Sequence, residues 1–155
     1  MDGSGSGGGD GIAYLLVQLG FHTARKFSEL LAPLGLEPRQ FGMLTQLAAN
    51  EGRSQQAIGE LMGLNPTRMV FLVDELENQG LVERRRNPAD RRSYALYLTG
   101  QGREKLREAR QASAAHEREI TTALTDAQRA DLAALLRRVA DEQGISAESL
   151  PGPPG

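Results

Sequence analysis

Between Ser54 and Gly80, hydrophobic residues repeat every three to four positions in two short runs, which predicts two amphipathic helices. Ser54 is placed to cap the first helix through its hydroxyl, and Gly63 ends that helix. Asn65 is the predicted N-cap of the second helix, which starts at Pro66 and ends at Gly80, because proline's missing N–H and fixed φ are tolerated in a first turn. The predicted inward side chains are Ala57, Ile58, Leu61, Met62, Met69, Leu72, Val73 and Leu76.

Only Gly63 and Leu64 separate the two helices. A link this short makes the helices cross steeply, so their inner rows bury against each other while the opposite face of the second helix stays in solvent. That exposed front carries Asn65, Thr67 and Arg68, which are polar groups able to reach base edges.

The chain after Gly80 predicts a β-hairpin, because two strand-like runs, LVERRR and RRSYALYLT, flank the turn NPAD. From Arg84 to Arg92 there are five arginines and one acid, Asp90, a local charge of +4 in a chain of net charge -2. A guanidinium suits phosphates and the negative potential of a narrow minor groove. Two helices followed by a basic hairpin predict a winged helix-turn-helix that binds duplex DNA.

Four further helices surround this unit. They run from Ile12 to Leu31, where Pro33 ends the helix, from Pro38 to Asn50 as a core element, from Gly102 onward, and from the cap Thr125 to Ala140. The side chains predicted to line one face of each helix are Ile12, Leu15, Leu16, Leu19, Phe27, Leu30, Leu31, Phe41, Leu44, Leu47, Leu106, Ala109, Ser113, His116, Ile120, Leu132, Leu135, Leu136 and Val139. The apolar faces of the N- and C-terminal helices need a partner, which predicts a two-fold dimer. The operator of such a dimer is expected to be a pseudo-palindrome.

The helix pair, the DRR at Asp90–Arg92 and the following YALYLTGQG resemble the MarR family of bacterial transcription regulators, over roughly Ile12 to Ala140. The resemblance implies a fold that is mainly α with a small β-hairpin wing. It implies a homodimer through N- and C-terminal helices (12–34 and 102–140), with a reading head at 38–99. Each recognition helix would enter a major groove and each wing a minor groove, and Asp90 would orient Arg92 there. Repression is the mode that the family favours.

The predicted DNA-binding residues are Ser54, Gln55, Asn65, Pro66, Thr67, Arg68, Arg84, Arg85, Arg86, Asp90, Arg91 and Arg92. An arginine run alone is usually a solvated face, and winged helices also serve as protein-docking or RNA-binding modules. DNA is favoured because this run lies beside an exposed polar helix front.

The resemblance also implies a small aromatic or anionic effector, bound in a cleft between the dimer helices and the reading head. The residues that could line such a cleft are Tyr14, His22, Arg25 and Phe41. Each also has a structural interpretation. Tyr14 and Phe41 suit the core, His22 suits a packed and hydrogen-bonded position, and Arg25 suits a solvated face or an acid partner.

Composition excludes several other classes of site. The chain is 39% hydrophobic but only 5% aromatic and lacks tryptophan, so one mostly aliphatic core is expected. Without cysteine there is no disulfide, thiol switch or thiolate metal site. A zinc site would need His22 and His116 with Glu117 or Glu119, or residues from both subunits, so no metal or cofactor is expected. No phosphate loop, GxSxG or HExxH motif is present, and no enzyme is expected.

The two ends are expected to be disordered, which leaves residues 12–148 as a single domain. The first eleven residues are mostly glycine and serine, and the tail from Ser149 holds three prolines and two glycines. No apolar run reaches membrane-spanning length and no signal peptide is visible, so we expect a cytoplasmic protein without membrane contact.

Overall fold

The computed structural model describes residues 11–145, which form six α-helices, one 3-10 helix and one β-hairpin. In chain order these are α1 (Ile12–Leu31), the 3-10 helix (Ala32–Leu34), α2 (Pro38–Ala49), α3 (Gln55–Leu61), α4 (Pro66–Asn78), β1 (Val82–Arg86), β2 (Tyr94–Leu98), α5 (Gly100–Ile120) and α6 (Asp126–Glu142). The predicted mainly α fold with a hairpin wing is confirmed. The terminal segments predicted to be disordered lie outside the described residues, apart from Gly11, and the domain limits 12–148 stay a prediction.

Helices α3, α4, α5 and α6 each begin with a side chain that caps an amide of the first turn, which otherwise has no partner within the helix. The capping oxygens belong to Ser54, Asn65, Thr99 and Thr125, and they accept from backbone amides at 3.1, 2.9, 2.9 and 3.2 Å. The predicted caps of the helix-turn-helix are therefore confirmed, as is the cap of the last helix.

Helices α3 and α4 cross closely because glycine occupies their contact. Gly63 has a φ of 65°, the left-handed conformation that favours glycine, and it turns the chain between them. A Cβ on Gly59 would lie 3.4 Å from the Cγ of Met69, so the helices approach with no room to spare. The predicted inward row of α4 is buried, namely Met69, Leu72, Val73 and Leu76.

The core is aliphatic and centres on α2, as the composition predicted. Met43, Leu44 and Leu47 of α2 are fully buried, and Phe41 packs against the edge of this cluster. The core residues from the other elements include Leu31, Leu36, Ile58, Leu76, Leu81, Val82, Leu96, Leu98 and Leu106. The wing and the helices therefore share one core, which holds the hairpin against the helix-turn-helix.

The hairpin has a third extended segment beside it, which the sequence pattern did not reveal. Strands β1 and β2 pair antiparallel, with Arg84 opposite Leu96. Leu96 also accepts from the Gly52 amide and donates to the Arg53 carbonyl, both at 3.0 Å, and Ser54 forms a bridge with Ala95. The start of α3 is thus held by the wing.

The first turn of α5 is joined to the end of the helix-turn-helix at a second glycine contact. A Cβ on Gly102 would lie 2.0 Å from the carbonyl oxygen of Leu81, so only glycine fits there. Thr99 reinforces this joint, because its hydroxyl donates to the Gly80 carbonyl at 2.6 Å. The start of α5 therefore lies in direct contact with the segment between α4 and β1.

Helices α1 and α6 leave large apolar side chains in solvent in a single subunit. Within the described chain, α6 has no buried residue and α1 has only Leu31. The exposed apolar side chains of the two helices are Ile12, Tyr14, Leu15, Leu16, Val17, Leu19, Phe21, Leu132, Leu135, Leu136 and Val139. A surface of this kind requires a partner, in agreement with the predicted dimerisation role of both helices.

Candidate nucleic-acid interface

The front of α4 presents free polar groups, as predicted. Asn65, Pro66, Thr67 and Arg68 are all exposed at its first turn. The carboxamide oxygen of Asn65 is engaged, because it accepts from the Arg68 backbone amide at 2.9 Å. Among residues 11–145, nothing hydrogen-bonds or pairs with the guanidinium of Arg68. Thr67 and Arg68 are therefore the side chains best placed to meet a base edge or a phosphate.

The side chains at the start of α3 are engaged within the chain. Ser54 is half-buried and its hydroxyl accepts from the Ala57 amide. The carboxamide oxygen of Gln55 accepts from Nε of Arg84 at 3.0 Å. Both residues hold the helix and the wing in place, and their predicted contact with DNA stays a prediction.

Arg84 does not belong to the free basic surface that the sequence predicted. Its guanidinium lies 2.6 Å from Asp74 and 2.5 Å from Glu77, both on α4, and its side chain is only 16% exposed. A residue paired with two carboxylates has no unpaired positive charge left for DNA. The Arg84 guanidinium is therefore not free, and its predicted contact with DNA stays a prediction. The sequence pattern of the hairpin could not show that Arg84 is paired, because both acids lie on another element, α4.

The two neighbouring arginines of β1 point to opposite faces of the hairpin. Arg85 pairs with Glu83, and its guanidinium lies 4.2 Å from the centre of the Tyr97 ring, a cation–π contact. Arg86 lies over the Tyr94 ring and donates to the Arg91 carbonyl at 3.1 Å. Both are exposed and their heads remain near solvent, so their predicted DNA contacts stay predictions.

The wing tip is ordered by its own hydrogen bonds. The Asp90 carboxylate accepts from the Arg92 backbone amide at 3.0 Å, and the Asn87 side chain accepts from the Ala89 amide at 3.0 Å. Asp90 thus fixes the backbone of Arg92 and leaves its guanidinium free. In the described part of the chain, the heads of Arg91 and Arg92 have no hydrogen bond or ion pair. Two unpaired cations therefore project from a rigid tip.

The structure separates Tyr14 from Phe41, two of the four residues predicted to line an effector cleft. At 1.5 Å per residue, Tyr14 lies about 20 Å along α1 from Phe27, which is the residue of α1 that meets Phe41. Tyr14 and His22 are exposed in the single subunit, so neither lies in the subunit's own core. Arg25 lies 3.9 Å from Glu29, so its expected acid partner is confirmed.

Phe41 belongs to a ring cluster that the sequence did not single out. Its ring meets Phe27 edge-on at 5.4 Å, and Phe27 stacks on His116 at 6.2 Å. His116 is 7% exposed, and neither ring nitrogen has a hydrogen-bond partner within residues 11–145. The hydroxyl of Thr45, one turn beyond Phe41, is buried and unpaired as well. Because buried polar atoms are nearly always paired, these atoms point to a missing partner.

A cleft of about 440 Å³ runs along a different face of α5 from the one that carries His116, and none of the three rings lines it. Three arginines line it, Arg103, Arg107 and Arg110, together with small and apolar side chains. Arg103 pairs with Glu51, and Arg107 donates to Glu104 and thereby holds the pKa of that exposed carboxyl below its usual value. Arg110 has no such partner among the described residues.

Two features are absent from residues 11–145, a metal-binding cluster and a membrane-spanning helix. No group of three or more histidine, cysteine or acidic side chains is close enough to hold a metal ion. No helix in this range has the length and apolar character needed to cross a membrane.

Known proteins are similar to this chain in both sequence and fold. A profile described as the MarR family matches residues 34–93. A Thauera aromatica protein named as a putative transcriptional regulatory protein for the hcr operon is 34% identical over 130 residues, which are 79% of this chain and 78% of that protein. The structure of the transcriptional repressor CouR on a 23-mer DNA duplex has a TM-score of 0.79 and 33% identity, over 90% of this chain and 99% of CouR.

CouR from Rhodococcus jostii RHA1 is also similar in its complex with p-coumaroyl-CoA, with a TM-score of 0.73 and 30% identity. That match spans 87% of this chain and 95% of CouR. The sequence match and the structural match cover the helix-turn-helix, the wing and the flanking helices together. The chain therefore belongs to the MarR family of transcriptional regulators.

Proposed function

We propose that this chain is a sequence-specific DNA-binding regulator, a repressor that binds a pseudo-palindromic operator as a homodimer. One observation carries the proposal: arginines without a partner in the described chain lie on α4 and on the wing tip, and Arg84 partly offsets the charge of the two neighbouring acids of α4. Arg68 would meet the major groove, and Arg91 and Arg92 the minor groove. The DNA-bound form of CouR supports this arrangement.

The homodimer accounts for the apolar faces of α1 and α6. Burying exposed side chains such as Leu19 and Leu136 against a second subunit stabilises the pair by about 25 cal/mol for each Å² removed from water. A two-fold axis would place the two reading heads on half-sites about one helical turn apart. The operator would then repeat the same sequence on opposite strands.

The effector of the proposed repressor would be an aromatic molecule that carries polar groups. The ring cluster of Phe27, Phe41 and His116 offers an aromatic wall, and the unpaired nitrogens of His116 would hydrogen-bond such a ligand. The arginine-lined cleft along α5 would suit an anionic extension. An aromatic thioester of coenzyme A has both features, and CouR is seen with p-coumaroyl-CoA. Of the first four candidates, Phe41 is retained in this site.

The proposal gives the chain a regulatory role and no catalytic one, in the cytoplasm, where a bacterial chromosome lies. The second candidate is a protein-docking or RNA-binding winged helix. The free wing-tip arginines are compatible with RNA, but the dimer helices and the similarity to a duplex-bound repressor favour duplex DNA.

Selection of bound sequences from a random duplex pool tests the proposal. We expect a two-fold motif, bound with an affinity that falls steeply with salt because counterions are released from phosphates. A scrambled duplex of the same composition and a single-stranded RNA pool serve as controls. Enrichment of RNA alone, or of no nucleic acid, would overturn the proposal.

A further inference from the structure

The outer face of α4 carries two apolar side chains that the proposed DNA contacts leave unused. Phe71 is 62% exposed and Val70 is 41% exposed, although the inner face of the same helix is fully packed. Single exposed hydrophobic residues are common on protein surfaces. These two are adjacent, however, and they lie on the helix that presents Thr67 and Arg68.

Helix geometry places Phe71 directly behind the polar front. Residues four apart lie one above the other on a helix, so Phe71 follows Thr67 on the same face, and Arg68 is three positions before it. Val70 lies toward the wing, because it lines the shallow depression that Tyr94 and Arg84 also line. The apolar pair is therefore continuous with the proposed DNA surface and separate from the apolar faces of α1 and α6.

The charges around this pair favour a polyanion as its occupant. Asp74 follows Phe71 by three positions, on the same side of the helix, and would repel phosphates if it were free. Arg84 reduces that repulsion, because its one positive charge is shared between Asp74 at 2.6 Å and Glu77 at 2.5 Å. Glu75, four positions after Phe71, pairs with Arg39 at 3.0 Å, and Arg68 nearby carries a guanidinium without a partner in the described chain. A duplex can thus approach the face that carries Phe71.

One base presents an apolar group in the major groove, namely thymine through its C5-methyl. We infer that Phe71, supported by Val70, contacts thymine methyl groups and so selects thymine at one position of each operator half-site. This inference rests on the proposed function and specifies how the site discriminates among sequences. The apolar side chains would add discrimination that Thr67 and Arg68 alone do not provide.

Replacement of thymine by uracil in the selected operator tests the inference, because it removes the methyl group and preserves base pairing. Each thymine is replaced in turn, symmetrically in both half-sites, and binding is measured for the full-length protein. We expect one position at which affinity falls about fourfold for each half-site, the value for one buried methyl-sized group. Uracil outside the half-sites serves as the control and leaves affinity unchanged.

The same duplexes are then titrated with Phe71→Ala and with Phe71→Leu. We expect Phe71→Ala to bind the thymine and uracil duplexes equally, and Phe71→Leu to retain part of the discrimination because it stays apolar. Thermal unfolding confirms that each variant is folded. Equal binding of both duplexes by the original protein, or unchanged discrimination by Phe71→Ala, would overturn the inference while leaving the selected operator intact. Failure to select any duplex would instead refute the proposed function.

Discussion

Arg84 on β1 and Asp74 on α4 form an ion pair with 2.6 Å between nitrogen and oxygen, and this pair joins the wing to the recognition helix. The same guanidinium also contacts the Glu77 carboxylate at 2.5 Å and donates to the Gln55 carboxamide oxygen at 3.0 Å. One partly buried arginine thus connects β1, α3 and α4. It holds the wing beside the helix and offsets part of the charge of two acids next to the proposed DNA surface.

Substitution of Arg84 by alanine should weaken operator binding because its guanidinium is engaged with two acids of α4. Asp74 and Glu77 would be left unpaired, and the wing would lose its connection to α4. We expect a loss of about 1–3 kcal/mol in unfolding free energy and at least a tenfold loss of affinity. Arg85→Ala, which removes an exposed pair, is the matched control and should cost about 1 kcal/mol of stability or less.

Removing the charges of Asp74 and Glu77 distinguishes two causes of weaker binding. One is repulsion between the unpaired acids and DNA, and the other is the lost connection between the wing and α4. In the Arg84→Ala background, Asp74→Asn with Glu77→Gln should recover part of the operator affinity, because the uncompensated charges are gone. Recovery of none of it would mean that loosening alone is responsible. If Arg84→Ala binds the operator as the original protein does, the role of Arg84 given above is wrong.

Arg68→Ala should reduce affinity in a manner that depends on sequence. If Arg68 contacts a base, the selected operator loses about 1–3 kcal/mol of binding free energy and the scrambled duplex loses much less. An equal loss on both duplexes would assign Arg68 to a phosphate. Unchanged affinity on both would exclude it from the interface.

Gly102 and Gly100 offer a matched pair for the joint between the reading head and α5. An added Cβ at Gly102 meets the Leu81 carbonyl at 2.0 Å, whereas nothing lies within 4 Å of one at Gly100. Gly102→Ala should lower the unfolding free energy by about 1–3 kcal/mol, the range for overpacking a close-packed site. Gly100→Ala should be neutral or stabilising by up to about 1 kcal/mol.

Chemical denaturation at one fixed protein concentration measures both variants, because dimer stability depends on concentration. Equal stability of the two would show that the contact between α5 and Leu81 is looser than described.

The helix-turn-helix was predictable because its signals are local. Ser54, Asn65 and Pro66 cap or start helices through neighbours only three residues away, and the turn NPAD marks the hairpin. The structure confirms these elements to within about three residues at each boundary.

Features that depend on contacts distant in sequence were not predictable. Arg84 was counted as free charge because its partners, Asp74 and Glu77, lie on another element. The pairing of Arg53 with Leu96 and the stacking of Phe27 on His116 likewise join segments far apart in the chain. Tyr14 was expected in the core, yet it is exposed in one subunit, because the surface that covers α1 belongs to a second copy in the proposed dimer.

His116→Leu should stabilise the protein and weaken its response to effector. Leucine has a similar volume and removes two buried nitrogen atoms that have no partner in the described chain. We expect the unfolding free energy to rise by about 1 kcal/mol or more, because an unpaired buried polar group costs about 1–3 kcal/mol. Release of operator by p-coumaroyl-CoA, used as the probe, should need a higher concentration.

Free coenzyme A and free p-coumarate are the controls for that measurement, and each tests one half of the proposed ligand. A loss of stability in His116→Leu would show that the imidazole is hydrogen-bonded in the dimer. An unchanged response to the probe would place the effector elsewhere.

Comparison of the original protein with Arg92→Ala on the selected operator, over a range of salt concentrations, tests the proposed DNA interface most directly. Arg118→Ala is the control, because Arg118 is exposed and lies about 27 Å along α5 from Gly100. If each wing tip holds the DNA through Arg92, the variant binds more weakly and the slope of log affinity against log salt falls by about one per wing. Identical affinity and slope for Arg92→Ala would contradict the proposed role of the wing.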